Sequence, residues 1–499
     1  MTATAALPLA LLLTSLVPAL VIFTLPEERE RTRTVVNMTG AIAKVVLAAG
    51  LIVGVLDGQV YEWRMPLLPG TDLILRVDPI PLLFVALSAV LWLTTTVYAI
   101  GYLEGDAHRS RFFGFFSLCV TATIGIALAG NLLTFLLFYE LLTVATYPLV
   151  VHRGDTAAIA GGRSYLLYAV TGGAVLLAGI VWLHALAGPV EFLEHGALEP
   201  LGIEHRTELT TIFALLIAGL GVKAAVVPLH GWLPQAMVAP APVSALLHAV
   251  AVVKAGAYGI VRITYDLYGQ ALATSLGLLT PLAVLAAATI VYGSLRALAE
   301  DDLKKRLAFS TVSQLSYVIL GVGLASLTGA TGGLVHLVHQ GVQKVTLFYC
   351  AGNLAKALGV KKVSDMDGVG RRLPLTMGAF TLAALGMIGI PPTAGFITKW
   401  HLGLGSLDAG QGWVLAVLVA SSLLNAAYFL PAIARAWFPR GEQPSPEPAF
   451  AAERRTLSWW LLAPPLATAA TVLLLGLLAG MPLSPLSWAV LIAEEVLAR

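Results

Sequence analysis

Charged side chains are scarce in this chain of 499 residues: Asp, Glu, Lys and Arg make up 12% of it, about half the share usual in soluble domains. Cysteine is scarcer still, with Cys119 and Cys350 alone, each inside an apolar run. Two such thiols exclude a disulfide framework and a four-cysteine metal site, and they read as inert packing residues. A Walker loop, a Rossmann glycine pattern and paired catalytic carboxylates are missing too. Nucleotide, nicotinamide, flavin and iron–sulfur chemistry must therefore lie elsewhere, and neither a cofactor, a metal nor a catalytic centre is expected in this chain. The net charge of +2 gives no basic surface that would point to nucleic acid.

What is abundant is apolar surface. With 58% hydrophobic residues and a mean hydropathy of +0.84, the chain exceeds the roughly 45–50% apolar content of soluble domains. Apolar stretches of about 20 residues recur from end to end, the length needed to cross a bilayer. The pattern predicts an all-α polytopic membrane protein of about fourteen spans, near 5–25, 35–57, 78–103, 111–129, 131–151, 158–187, 208–238, 241–263, 271–299, 303–324, 331–354, 374–407, 411–438 and 456–480. No basic residue precedes the first run, so it reads as a retained helix and not a secretory signal. Segment 58–77, with prolines among short alternating apolar residues, predicts an extended or hairpin structure at one surface, and 486–499 a short interfacial helix.

Basic residues set the sidedness. Loops after spans 1, 3, 5, 9, 11 and 13 carry twenty Lys and Arg, and those on the other side, with Arg499, carry five. Positive charge accumulates on the cytoplasmic side, which predicts a multi-pass protein of the cell (inner) membrane with both termini facing away from the cytoplasm.

Five basic residues remain inside the spans: Lys44, Lys223, Lys254, Lys344 and Lys399. One deep carboxylate, Glu140, accompanies them. An ammonium at the bilayer centre costs at least ~2.5–3.5 kcal/mol, so such residues are functional candidates by default. Spans 7 and 12 are long and broken by proline, at Pro228 with Gly231 and Pro234 after Lys223, and at Pro391, Pro392 and Gly395 before Lys399. Proline removes a backbone donor, and a break at membrane depth has to be buried in protein or line a wet cavity. Matching breaks five spans apart predict two inverted five-helix repeats, spans 4–8 and 9–13. The expected units are residues 1–110, 111–265, 266–440 and 441–499, with Pro228, Pro391 and Pro392 as hinges.

Span 11 adds a polar ladder. His336, Gln340 and Lys344 are spaced four apart on one stripe, with His339 and Gln343 on the next. A ladder of that length facing lipid would be very costly, so it is expected to face the interior as a relay or as a static network between helices. His230, at the first break, either caps freed backbone groups or takes protons. His248 lies on a different face from Lys254 and reads as a packing residue before a relay member. Lys44 reads as a snorkelling residue or a contact to a neighbouring subunit before a transport residue. Asp78 is expected to cap span 3, and Asp301 and Asp302 to belong to a solvated loop.

The run KAAVVPLHGWLPQAMVAPAPVSALLHAVAVVKAGAYGIVR at 223–262 resembles the signature of the antiporter-like subunits shared by respiratory complex I, membrane-bound hydrogenases and Mrp-type cation/proton antiporters. Similar segments are FYELLTVATYPLV around Glu140, LAFSTVSQLSYVILGVGL at 307–324, HLVHQGVQKVTLFYCAG at 336–352 and LGMIGIPPTAGFITKW at 385–400. The resemblance covers roughly 78–430 and implies fourteen helices with two inverted repeats. It implies a pair formed by Glu140 and Lys223, a central relay residue at Lys254, a link between half-channels at His336, His339 and Lys344, and a terminal relay position at Lys399. It further implies other hydrophobic subunits as partners and protons and monovalent cations as cargo.

A lysine at position 399, a length near 500 and an end soon after span 14 favour the D-type subunit of an Mrp-type antiporter. The alternatives are a proton-pumping subunit of complex I or a membrane hydrogenase, and a membrane subunit of an inorganic-carbon uptake complex.

Overall fold

The computed structural model describes residues 3–193, 196–202, 204–438, 453–454 and 456–497. The boundary expected at 440/441 lies outside these residues, as do Arg440, Arg455 and Arg499 of the sidedness count. The first helices are α1 (Ala3–Thr24), α2 (Glu30–Leu56), α3 (Pro79–Tyr102), α4 (Arg109–Leu128), α5 (Leu132–Val150) and α6 (Thr156–Ala187). Between α2 and α3 stands the expected hairpin, β1 (Tyr61–Leu68) and β2 (Thr71–Val77), antiparallel with Tyr61 opposite Val77. Its strands are tied by Glu62 to Arg76 (2.7 Å), and Arg64 reaches Glu191 beyond α6 (2.7 Å).

The chain continues through α7 (Arg206–Lys223), α8 (Ala241–Tyr268), α9 (Leu279–Ala299), α10 (Leu303–Gly323) and α11 (Leu327–Leu358). The twelfth span is split into α12 (Pro374–Ile388) and α13 (Ala394–Asp408). After α14 (Trp413–Trp437) come α15 (Trp459–Leu477) and the short C-terminal α16 (Pro485–Leu497), whose Trp488 indole donates to the Pro79 carbonyl at 2.9 Å.

Among the described residues, ten helices are long and apolar enough to cross a membrane. The expected spans that fall short of that standard are α7, α10, α11 and the split pair α12–α13, which are interrupted or carry polar and charged side chains in mid-helix. These spans hold Lys223, the ladder of α11 and Lys399, whereas Glu140 and Lys254 lie in helices that meet the standard.

Several boundaries moved for local reasons. Span 9 begins only at Leu279, because Gly277 takes a positive φ of 74° and separates it from a short turn of helix at Gln270–Ser275. Span 8 runs on to Tyr268 and contains two π-helical stretches, Leu246–Val250 and Ile263–Tyr268, flanking Lys254. π-turns inside helices often mark functional sites. Asp78 caps α3 as expected, accepting from the Ile80 amide at 3.2 Å, and Asp302 caps α10 through the Lys305 amide at 2.9 Å.

Two helices form the axis. Every residue of α8 is buried, and α11 packs against α3, α10, α12, α13, α15 and α16 at once. The close approach of α8 to the end of α7 depends on Gly256, where a Cβ would lie 2.2 Å from the Ala224 nitrogen and 2.8 Å from the Leu220 carbonyl. Both are backbone atoms that cannot rotate away. We expect Gly256→Val to destabilise the protein by about 1–3 kcal/mol through overpacking, seen as a lower thermal aggregation temperature. An unchanged temperature would show that α7 and α8 tolerate separation.

Candidate functional site

The first break opens directly after Lys223, the last residue of α7. Ala225 follows with a φ of 56°, a left-handed conformation unusual for a residue with a Cβ. The freed backbone groups are met by protein: the Trp232 indole donates to the Val222 carbonyl (2.8 Å) and the Val227 amide to Thr289 Oγ1 (3.2 Å). His230 is half-buried and packs edge-on against Tyr292, ring centres 5.0 Å apart. The caps therefore come from Trp232 and Thr289.

Lys223 is buried and turns toward α5. Its ammonium donates to the Tyr139 backbone carbonyl and lies 3.3 Å from the centre of the Tyr139 ring. Glu140 is the next residue, but among the described residues no carboxylate lies within 4 Å of Lys223. Its Oε1 is buried and lacks a partner. Room for the carboxylate is made by Gly173 of α6, where a Cβ would sit 2.2 Å from Oε1. Acid and lysine are neighbours in a separated arrangement.

Lys254, fully buried on α8, donates to the Leu337 carbonyl of α11. This contact joins α8 to α11, and it lands beside His336. Every member of the ladder, His336, His339, Gln340, Gln343 and Lys344, is at most 1% exposed, so the ladder faces the interior. Its stripes point to different neighbours. His336 lies over Tyr317 of α10 (5.1 Å between ring centres) and Lys344 donates to Ser310 Oγ (2.6 Å) and the Leu307 carbonyl (3.2 Å). His339 Nδ1 pairs with Thr398 Oγ1 of α13 at 3.0 Å. Gln340 and Gln343 have buried side-chain amides with no protein partner on either atom, and Gln343 points at the second break, where Gly386 and Gly395 leave it space.

At that break Lys399 folds back on the end of α12. Its ammonium donates to the carbonyls of Met387 (3.3 Å) and Ile388 (2.6 Å) and to Ser422 Oγ (2.8 Å). A helix C-terminus is a partial negative charge, so the break makes its own cation site. His248 behaves as a packing residue, stacked on Phe348 at 4.6 Å with Nε2 3.3 Å from Met237 Sδ. Lys44 departs from expectation: fully buried, it neither snorkels nor reaches a partner surface, and donates to Ser15 Oγ at 2.8 Å.

Sequence reasoning missed a second bridge between Lys344 and Lys399. Ser310 pairs with the Tyr428 hydroxyl (2.7 Å), that hydroxyl donates to Asn425, and Asn425 donates to the Met387 carbonyl (3.2 Å) that also receives Lys399. Ser421, Asn425 and Tyr428 recur at helical spacing in an apolar span, a signal that was readable.

The arrangement is a row of buried titratable groups within a helical fold built to cross a membrane, and the chain as a whole is similar to known proteins. The family model described as NADH:quinone oxidoreductase/Mrp antiporter, TM matches residues 129–425. The chain is 36% identical over 453 residues to NADH-quinone oxidoreductase subunit N of Desulforudis audaxviator, covering 88% of this chain and 89% of that protein. It is 31% identical over 437 residues to Na(+)/H(+) antiporter subunit A1 of Staphylococcus haemolyticus, covering 83% of this chain and 53% of that protein. In shape it is similar to a chain of the Mrp complex from Dietzia sp., with a TM-score of 0.85, 26% identity and coverage of 100% and 98%. A chain of Thermus thermophilus respiratory complex I with bound aureothin superposes with a TM-score of 0.73 at 24% identity, covering 95% of this chain and 98% of that one, a likeness of fold. The chain belongs to the NADH:quinone oxidoreductase/Mrp antiporter membrane-subunit family. It is a proton/cation antiporter-like membrane subunit of the Mrp or complex I type.

With Glu140 and Lys223 as the charge pair, Glu140→Gln or Lys223→Ala should reduce cation-driven collapse of a proton gradient in everted vesicles at least tenfold while the complex still assembles. More than about half the activity at equal protein levels would show that the pair does not switch charge. At the far end, Lys399→Ala should stop transport and Lys399→Glu retain part of it. Equal, complete loss would mean that this site needs a fixed positive charge.

Proposed function

We propose that this chain moves protons through the width of the membrane domain, from Glu140 and Lys223 past Lys254 and the His336–Lys344 ladder to Lys399. The observation that carries the reading is the contact of Lys254 with Leu337, which connects a lysine of the first half, 111–265, to the ladder of the second half, 266–440. From there His336, His339 and Thr398 lead to Lys399 by neighbouring side chains. Gln340 and Gln343, buried with unpaired amides, are polar enough to hold water along the same line. Pro228, Pro391 and Pro392 act as the hinges at either end of the route, and His230 stands at its entrance.

The assembly that fits best is the D-type subunit of an Mrp-type cation/proton antiporter, with the proton exchanged for Na+ or K+. Support comes from the match in shape to an Mrp-complex chain over the full length of both and from the lysine, not an acid, at position 399. A second reading, a proton-pumping subunit of complex I type, is supported by 36% identity to a subunit N over nearly the whole of both chains. On either reading the proposed setting is the cell membrane among hydrophobic partner subunits, and the excess of Lys and Arg in one set of loops supports both termini on the non-cytoplasmic side. Purification in mild detergent separates them: small hydrophobic companions and no chromophore mark the antiporter, and flavin or iron–sulfur absorbance marks the redox pump.

The route itself is tested by replacing both His336 and His339 with leucine. Long-range proton transfer should fall at least tenfold, while Glu140 and Lys223 still titrate, as read by infrared difference spectroscopy. Transfer at the wild-type rate would place the path elsewhere.

A further inference from the structure

Lys44 lies outside the segment that matches the family and outside the row from Lys223 to Lys399. It sits in the middle of α2 with no exposed surface, and a lysine at such a depth calls for a functional account. Its ammonium has two partners, Ser15 Oγ of α1 at 2.8 Å and the face of Trp92 of α3 at 5.0 Å. Among the described residues, none of the ion pairs involves it.

A polar seam leads to it from the loop side. At the mouth, Arg33 donates to Ser110 Oγ (2.7 Å), and Glu27 receives the Arg109 and Ser110 amides (2.9 and 3.1 Å). One turn further along α2, Asn37 Oδ1 accepts from Ser117 Oγ (3.1 Å). The next turn brings Gly40, where a Cβ would come within 2.5 Å of the Thr14 carbonyl. That carbonyl lacks its usual helical donor, because the residue four positions on is Pro18. One more turn reaches Lys44, where Thr121 Oγ1 of α4 donates to Ser15 Oγ at 3.0 Å. Arg33, Asn37, Gly40 and Lys44 thus step along one face of α2, with Ser110, Ser117 and Thr121 opposite on α4. The distance from Arg33 to Lys44 is ~16 Å, about half the hydrocarbon thickness.

The other face of α4 belongs to the relay. Cys119 pairs with Thr146 of α5 at 3.4 Å and lies within electrostatic reach of Lys223. Of the elements around Lys44, α1 has no ionisable side chain, α3 has Tyr98 and Tyr102 toward its far end, and α4 has Arg109 and Arg111 at its start and Cys119 on its opposite face. Nothing nearer competes for control of its charge.

From this geometry, we propose that Lys44 is a separate proton-binding site, filled from the basic-loop side along the α1–α2–α4 seam, whose charge acts on Lys223 across α4. The second clause rests on the relay reading above; the first does not. Lys44 reaches α4 through Ser15 and Thr121, and Lys223 reaches it at Cys119; two ammoniums ~10–15 Å apart across such a helix in a medium of effective dielectric ~20 influence each other by about one pH unit.

The test uses the assembled complex in everted vesicles, with Cys119 and Cys350 replaced by serine. Asn37→Cys and Ser117→Cys should react with a small water-soluble methanethiosulfonate ammonium reagent at least about tenfold faster than Val46→Cys, which is 64% exposed on the lipid face of α2. Equal rates mean that the seam is dry, and overturn the site. In a second arm with native cysteines, Lys44→Met should move the pH profile of cation-driven gradient collapse by about half to one unit to higher pH. Lys44→Arg, which fixes the charge, should not reproduce that shift. An unmoved profile with Lys44→Met, or the same shift with both variants, overturns the action on Lys223. If the wild-type complex showed no proton coupling at all, the relay reading would fall while the labelling arm still decided the seam.

Discussion

The structure depends on how a buried ammonium is held without a carboxylate. Each of the four deep lysines of the row is anchored by backbone carbonyls: Lys223 by Tyr139, Lys254 by Leu337, Lys344 by Leu307 and Lys399 by Met387 and Ile388. A carbonyl stabilises a positive charge less than a carboxylate would, and it still accepts while the amine is neutral. A lysine held this way keeps its place through both protonation states, whereas a tight ion pair would fix the proton. The second helix break serves the same need. An unbroken helix has few carbonyls to spare, and a broken one has several at its C-terminal end. Lys399 folds onto the end of α12 and uses them, whereas Lys223 closes α7 and reaches across to the Tyr139 carbonyl inside the unbroken α5, so the two interruptions hold their lysines in different ways.

Much of this was legible in the sequence. Lysine in an apolar run is rare enough to be seen by inspection, and proline within ten residues of it marks the break, so Lys223, Lys254, Lys344 and Lys399 needed no structure to be singled out. The inward aspect of His336, Gln340 and Lys344 followed from the cost of the alternative. What the sequence hid was which neighbour each side chain chooses. His336 and Lys344 share a stripe with Gln340, yet His336 meets an aromatic ring, Lys344 meets a serine and the Gln340 amide has no hydrogen-bond partner. Those differences come from α10, whose register against α11 depends on packing and not on periodicity. Lys44 was misread for a related reason. A single lysine in a helix outside the matched segment looks like a snorkelling residue unless Ser15, Thr121 and Trp92 are known to converge around it from three other helices.

Glycine makes the close approaches possible. Gly173 leaves space for the Glu140 carboxylate, and Gly386 with Gly395 leaves space for the Gln343 amide. Both are places where a polar group stands in the protein interior beside a helix break or a charged partner. A methyl group there would not merely crowd the helices; it would displace the polar atom from the line on which it acts. Glycine in these spans therefore reports the course of the polar line as directly as the lysines do.

The polar groups fall into two kinds, and the difference separates support from passage. Between Lys344 and Lys399 the path through Ser310, Tyr428 and Asn425 is hydrogen-bonded at each step. A network with each member satisfied is rigid, and moving a proton along it requires several bonds to turn together. Along the same and the neighbouring stripe of α11, Gln340 and Gln343 keep donors and acceptors without protein partners, next to a His339 that is bonded through one nitrogen and free at the other. Buried polar atoms of that kind are met by water in native proteins, and a water chain rearranges at little cost. The satisfied side fixes where Lys344, Tyr428 and Lys399 stand. The unsatisfied side, from His336 through His339 and the two glutamines to Thr398, is the one that the proposed proton route follows.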